Sequence, residues 1–96
     1  KVYSEKHKEY KKRHDEIWES LKKDLQNHGA SNYSIFLDEE TDYLFAYVEL
    51  ESEELWDKVA DSEECKKWWV FMKDIMETNE DNSPESVELK EVFYLE

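Results

Sequence analysis

The 96-residue chain contains a single glycine, a single proline and a single cysteine. So little glycine and proline excludes a low-complexity or all-β chain and points to regular elements joined by short polar loops. One cysteine, Cys65, cannot form an internal disulfide, which suits a reducing compartment. No apolar run approaches the ~18 residues a membrane helix needs and no secretory leader opens the chain, so it reads as soluble and cytoplasmic. Basic residues are scarce: 13 Lys and Arg against 26 Asp and Glu leave a formal net charge of −13. Such a surface repels phosphate backbones and anionic lipid, so neither nucleic acid nor membrane is an expected partner. A neutral ligand meets no such repulsion. Internal repeats and linkers are absent too, which leaves one domain spanning residues 1–96.

Aromatic residues, by contrast, are plentiful at 15 %, with four Trp and six Tyr. They supply large buried areas to a small chain. Tyr10, His14, Ile17, Trp18, Leu21, Leu25 and His28 recur at steps of three or four, one face of an α-helix. Ser4 offers an N-cap, Glu5 suits the first turn, and Gly29 is a natural residue just past a helix end near Asn27 or His28. Two polar rings, Tyr10 and His14, thus lie one turn apart on an otherwise apolar stripe. Buried without partners they would cost roughly 1–3 kcal/mol each, so they either have partners or line a cavity. The cavity is the preferred reading.

Downstream, 32–37 and 43–50 alternate as strands across the polar turn 38–42, an antiparallel hairpin. Ser52 and Ser62 are candidate N-caps. The first heads a short helix with Leu55, Trp56, Val59 and Ala60. The second heads a helix with an apolar face of Cys65, Trp68, Trp69, Met72, Ile75 and Met76. A turn-rich stretch, 78–84, precedes a final strand at 87–95. The order α-β-β-α(α)-β lacks only a first strand to be a βαββαβ unit: an α+β, ferredoxin-like sandwich with its helices on one face of an antiparallel sheet. The other face needs covering, and Phe36, Tyr47 and Phe93 would lie on it, so a homodimer is expected.

Several stretches together resemble the L-rhamnose mutarotase family: Tyr10-Lys-Lys-Arg-His14, Ile17-Trp18, the run from His28 to Asp38, Glu49 to Glu54, Trp68-Trp69, Asn79 to Pro84, and Glu91 to Leu95. The resemblance spans nearly the whole chain, and the specificity lies in its joint order and spacing. It implies a cytoplasmic homodimer of ferredoxin-like subunits, of the dimeric α/β-barrel type. The family interconverts the α and β anomers of L-rhamnose with neither metal nor organic cofactor. It also implies that His14 is the proton donor and that Tyr10, Tyr33, Trp68 and Trp69 contact the sugar. Two departures stand out. Glu19 replaces a proline of the family, and of the family's first strand only Lys1-Val2-Tyr3 is present, so the first strand reads as truncated.

The chemistry fits these residue types. Opening a hemiacetal ring requires a proton on the ring oxygen and loss of one from the anomeric hydroxyl. Histidine's ordinary pKa of ~6.5 suits that exchange. The anomeric proton goes to a tyrosine or to bound water. On sequence alone, a helix histidine paired with a carboxylate is the plainer reading of His14; Tyr10 and the family match reverse it. His7 reads as a surface residue and His28 as a ligand for helix-end carbonyls. Trp68 and Trp69 point about 100° apart on a helix, so one of them is a natural ligand wall. Glu51, Glu53, Glu54, Glu63 and Glu64 suggest no acid pair, because helix first turns favour them. No Cys or His pair has metal-ligand spacing, and Cys65 reads as a small buried hydrophobe. A sugar- or small-molecule-binding domain without catalysis is the alternative on the same fold, and a cofactor-free monooxygenase a more distant one.

Overall fold

The computed structural model describes residues 1–96. Its order is a 3₁₀ turn (Ser4–Lys6), α1 (His7–Asp15), α2 (Glu19–Asn27), β1 (Ala30–Leu37), β2 (Leu44–Leu50), α3 (Glu53–Asp57), a second 3₁₀ turn (Lys58–Asp61) and α4 (Glu63–Met72). It is an α+β chain with a two-stranded antiparallel sheet.

The single long helix expected from residue 4 to 28 is two helices. Trp18 breaks it, with φ −60 and ψ 134 in the extended region, and Glu19 restarts the helix in its first position. That is the backbone a proline at 19 would demand, since proline pushes the preceding residue out of the α region and favours the first helical position. The chain keeps the break with glutamate in its place. α2 ends as expected: Gly29 has φ +85 and its N–H donates to the Gln26 carbonyl at 3.0 Å. A β-carbon there would lie 3.1 Å from Glu51 Cβ, so the position suits glycine on two counts.

The hairpin forms as the alternation requires, from Ala30 opposite Leu50 to Leu37 opposite Leu44, with one register shift between Ser31 and Ser34. One extra residue on β1 sits there as a bulge, and Asn32 takes φ +49 at that point. Its side-chain amide donates to Glu49 Oε2 at 2.9 Å. Two of the three expected serine caps are realised, Ser52 Oγ accepting from the Leu55 N–H and Ser62 Oγ from the Cys65 N–H, whereas Ser4 caps no helix and donates instead to the Asp42 carboxylate. α4 stops at Met72, so Ile75 and Met76 lie beyond the helix, yet both are buried. Val2 bridges to Met76 in antiparallel fashion and donates its N–H to the Asp42 carbonyl. Lys1-Val2-Tyr3 is therefore seated between the hairpin turn and the chain that follows α4.

The core is Leu21, Cys65, Trp68, Met72, Ile75 and Met76, with Tyr10, Ile17, Trp18, Leu25 and Trp69 packed around it. It lies between α2 and α4. The expected strand at 87–95 is not formed: these residues have no regular structure, and Val87, Leu89 and Phe93 are exposed. Their alternation is genuine, but a strand also needs a neighbouring ladder to take up its backbone groups, and the chain sets none beside them. The segment does pass Tyr47, whose phenol is raised mainly by Glu49, with smaller contributions from Tyr94 and Glu91.

Candidate active site

His14 lies in the last turn of α1, where Cβ vectors three and four residues apart share one face. Its ring stacks on Tyr10, centroids 4.3 Å apart and planes at 26°. It meets Trp68 of α4 edge to face at 5.3 Å and 89°. The helix stripe thus sets phenol and imidazole side by side, and α4 brings an indole across to them. Trp18, turned by the break before α2, meets Trp68 edge-on at 5.1 Å and lies 5.5 Å from Phe71. Aromatic pairs at these separations each contribute about 0.5–1.5 kcal/mol beyond area burial. The wall around the imidazole is stiff for that reason.

His14 Nδ1 lies 3.0 Å from the Tyr10 carbonyl oxygen. A carbonyl only accepts, so Nδ1 carries the hydrogen and Nε2 is the nitrogen left for exchange with a ligand. Nε2 has no hydrogen-bond partner in the protein. The His14 pKa is pushed below its ordinary value, chiefly by burial; the bond to the Tyr10 carbonyl and the Asp15 charge pull the other way. At a helix C-terminus the dipole favours a cationic ring, yet desolvation wins here.

Both candidate tyrosines move in the opposite direction. Burial first, then the nearby Tyr33 hydroxyl, raises Tyr10 well above the ordinary phenol value. Tyr33 is raised by burial and then by the Cys65 thiol, although 46 % of its surface stays open. Neither phenol ionises near neutrality. They can orient hydroxyls and pass protons but cannot serve as resident bases, which leaves the imidazole as the acid–base group among them.

Tyr10, His14, Tyr33, Trp68 and Trp69 all line one open cleft of about 2190 Å³. A single sugar ring fills only part of it, since small-molecule sites run to about 300–1,000 Å³. Their places differ. His14 touches both Tyr10 and Trp68. Tyr33 packs against Trp56 of α3 at 6.1 Å, next to the β1 bulge that sets its direction. Trp69 also lines a smaller hollow of about 510 Å³ together with Asp61, Lys66, Asp81 and Asn82.

The chain matches the family model described as L-rhamnose mutarotase over residues 1–95. A curated L-rhamnose mutarotase of Clostridium beijerinckii is 61 % identical over 95 residues, 99 % of this chain and 91 % of that protein. One from Tolumonas auensis is 64 % identical over 94 residues, 98 % of this chain and 90 % of that protein. The chain belongs to the L-rhamnose mutarotase family. The crystal structure of an L-rhamnose mutarotase from Formosa agariphila superposes with a TM-score of 0.91 at 48 % identity, covering 100 % of this chain and 92 % of that one.

His7 is not a free surface ring: its Nε2 lies 2.7 Å from Asp42 Oδ1, and Ser4 Oγ donates to the other carboxylate oxygen at 2.6 Å. The left-handed Asp42, at φ +67, turns its carboxylate toward the start of α1, a pairing that sequence spacing of 35 residues does not reveal. His28 does what its position suggests, with Nδ1 donating to the Asp24 carbonyl at 2.7 Å. Cys65 is buried.

Sequence reasoning missed three residues that shape the site. Phe71 follows Trp68 at the i+3 spacing of a shared helix face, a signal that was available. Trp56 carries no signal beyond its place on an apolar face. Arg13 is the third. The sequence assigns it no role beyond its place in the Tyr10-to-His14 stretch, yet its side chain is only 13 % exposed and it spans from α1 to the end of α4.

Proposed function

We propose that the protein interconverts the α and β anomers of L-rhamnose by acid/base-assisted opening and closing of the pyranose ring. One observation carries the reading: an imidazole with one nitrogen pinned to a backbone carbonyl and the other unengaged, set between a phenol and an indole in an open cleft. On this reading His14 donates from Nε2 to the ring oxygen as the C1–O5 bond breaks. The anomeric hydroxyl gives up its proton to bound water or through a neutral tyrosine, so that overall one proton leaves O1 and one arrives on O5. The aldehyde carbon then rotates, and closure runs the same steps in reverse. Nothing is oxidised or reduced, and the chemistry calls for neither metal nor organic cofactor.

Tyr10 and Tyr33 orient hydroxyls in this scheme, while Trp68 and Trp69 offer ring faces to the apolar C–H side and the 6-deoxy methyl. The depressed pKa of His14 makes its cationic form scarcer but a stronger acid. General acid–base help of about 10²–10⁴-fold suffices for a reaction that already proceeds unaided.

The working unit on this reading is a cytoplasmic homodimer of ferredoxin-like subunits, of the α/β-barrel type. Phe36 and Tyr47 support it, being aromatic and 62 % and 56 % exposed on the hairpin; Phe93, 78 % exposed, lies in the segment without regular structure that follows. No helix is long and apolar enough to cross a membrane. Saturation transfer between the two anomeric proton signals of L-rhamnose tests the activity directly. Added protein should speed the exchange in proportion to its concentration; a rate equal to that in buffer would overturn the proposal. Sedimentation at micromolar concentration tests the dimer.

A further inference from the structure

We propose that Arg13 is a positioning residue for anomer exchange: its guanidinium locks α1 to the C-terminal end of α4 and thereby fixes the His14 ring against the Trp68 wall. The inference rests on the functional reading above and adds to it a residue that touches no substrate.

The guanidinium engages both helices at once. Within α1, Nε donates to Glu9 Oε1 at 3.0 Å. Across to α4, Nη1 donates to the Phe71 carbonyl at 2.7 Å and to Asp74 Oδ1 at 2.8 Å, while Nη2 reaches Asp74 Oδ2 at 3.3 Å. Its plane also lies over the Phe71 ring, 4.5 Å from the centroid. The Phe71 carbonyl is one of the unpaired acceptors at the end of α4, so Arg13 caps that helix with a cation at its negative pole.

Each end of this clamp is a short step from the site. Arg13 immediately precedes His14 in α1. Phe71 follows Trp68 by three residues on α4, and their rings touch at 5.6 Å. Any sliding of α1 along α4 would therefore move the imidazole relative to the indole. An exposed ion pair alone would be a weak restraint, since Asp74 is 65 % exposed. What distinguishes Arg13 is the forked geometry, two oxygens of one carboxylate plus a backbone carbonyl plus a ring face. A lysine supplies one point charge and cannot reproduce that set.

Displacements near 1 Å at a reacting group can cost up to about a hundredfold in rate. Arg13→Gln should lower the saturated exchange rate about tenfold, with the half-saturating rhamnose concentration changed much less, because the sugar-contacting groups are all retained. In the same protein the NMR signal of the His14 Cε1–H, placed by the ring currents of Tyr10 and Trp68, should move toward that of an ordinary histidine. Arg13→Lys should recover only part of the rate, and Asp74→Asn, which leaves the Phe71 carbonyl bond in place, should fall between Gln and wild type. These two milder variants carry the test if Arg13→Gln does not fold. Wild-type rates in the folded variants, or rate losses equal to the unfolded fraction with the His14 signal unmoved, would overturn the inference. Failure of the functional reading looks different: no exchange activity in the wild-type protein either.

Discussion

Replacing His14 by alanine separates catalysis from architecture, because the two losses can be sized independently. The ring contributes a stacked contact with Tyr10 at 4.3 Å, an edge-to-face contact with Trp68 at 5.3 Å and one hydrogen bond to the Tyr10 carbonyl at 3.0 Å. Their combined loss amounts to about 2–4 kcal/mol of stability. The loss of general acid catalysis is about 10²–10⁴ in rate, or about 3–5 kcal/mol of barrier. Sugar binding should survive, since the phenols and indoles remain, and chemical-shift titration with rhamnose reports it. The pH dependence fixes the sign of the proton transfer. Burial holds the His14 pKa below 6.5, so its cationic form grows only as pH falls beneath that value. A donor's share of the exchange rate therefore rises as pH is lowered through that window, once the buffer rate is subtracted. The alanine variant should lack that rise. Equal exchange rates in the two proteins would remove His14 from the mechanism. A wild-type rate that falls with pH over the same window would make it the acceptor of the anomeric proton, refuting its role as donor.

Three further expectations concern the frame that holds the site. Glu19→Pro should stabilise the protein by up to about 1 kcal/mol in thermal or urea unfolding. Trp18 already has the extended backbone proline requires and the Glu19 N–H has no partner; the lost acidic charge at the helix start offsets part of the gain. Gly29→Ala should destabilise by about 1–2 kcal/mol from the left-handed backbone alone. The crowding against Glu51 and Leu55 adds to that, and calorimetry should show a melting temperature lower by roughly 4–16 °C. Cys65, buried and with its thiol pushed up to about 11 first by desolvation and then by Asp24, should react slowly with a disulfide reagent at pH 8. Urea should accelerate that reaction in step with unfolding; rapid modification of the native protein would contradict the packing.

Most cap and turn signals survived translation into structure, Ser4 excepted, and signals that depend on a distant partner did not. Gly29, Ser52 and Ser62 mark helix ends because cap geometry is decided within four residues, and each occupies the cap it suggests. The hairpin was legible because both strands and their turn lie within 21 residues, 30–50. Strand 87–95 carries the same alternation, but its ladder must come from elsewhere, and alternation cannot supply a neighbour. The helix break at Trp18 was hidden by a periodicity that runs straight across it: Ile17, Trp18 and Leu21 keep their spacing while the backbone changes state between them. The chain's glutamate at 19 removed the one residue type that announces such a break.

The site divides along the same line. Tyr10 and His14 meet because α1 alone places them four residues apart, so periodicity puts them together. That Trp68 meets the His14 ring depends on how α4 lies across α1 and α2. What holds α1 and α4 in register is a contact 61 residues long in sequence, Arg13 to Asp74. A partner that far along the chain leaves no mark in the local pattern, which is why the arginine next to the proposed acid carries no role in the sequence reading. The catalytic reading consequently has two physical layers, a local pair written into one turn of helix and a long-range clamp that aims it. Only the second is vulnerable to a change that leaves every proposed sugar contact in place.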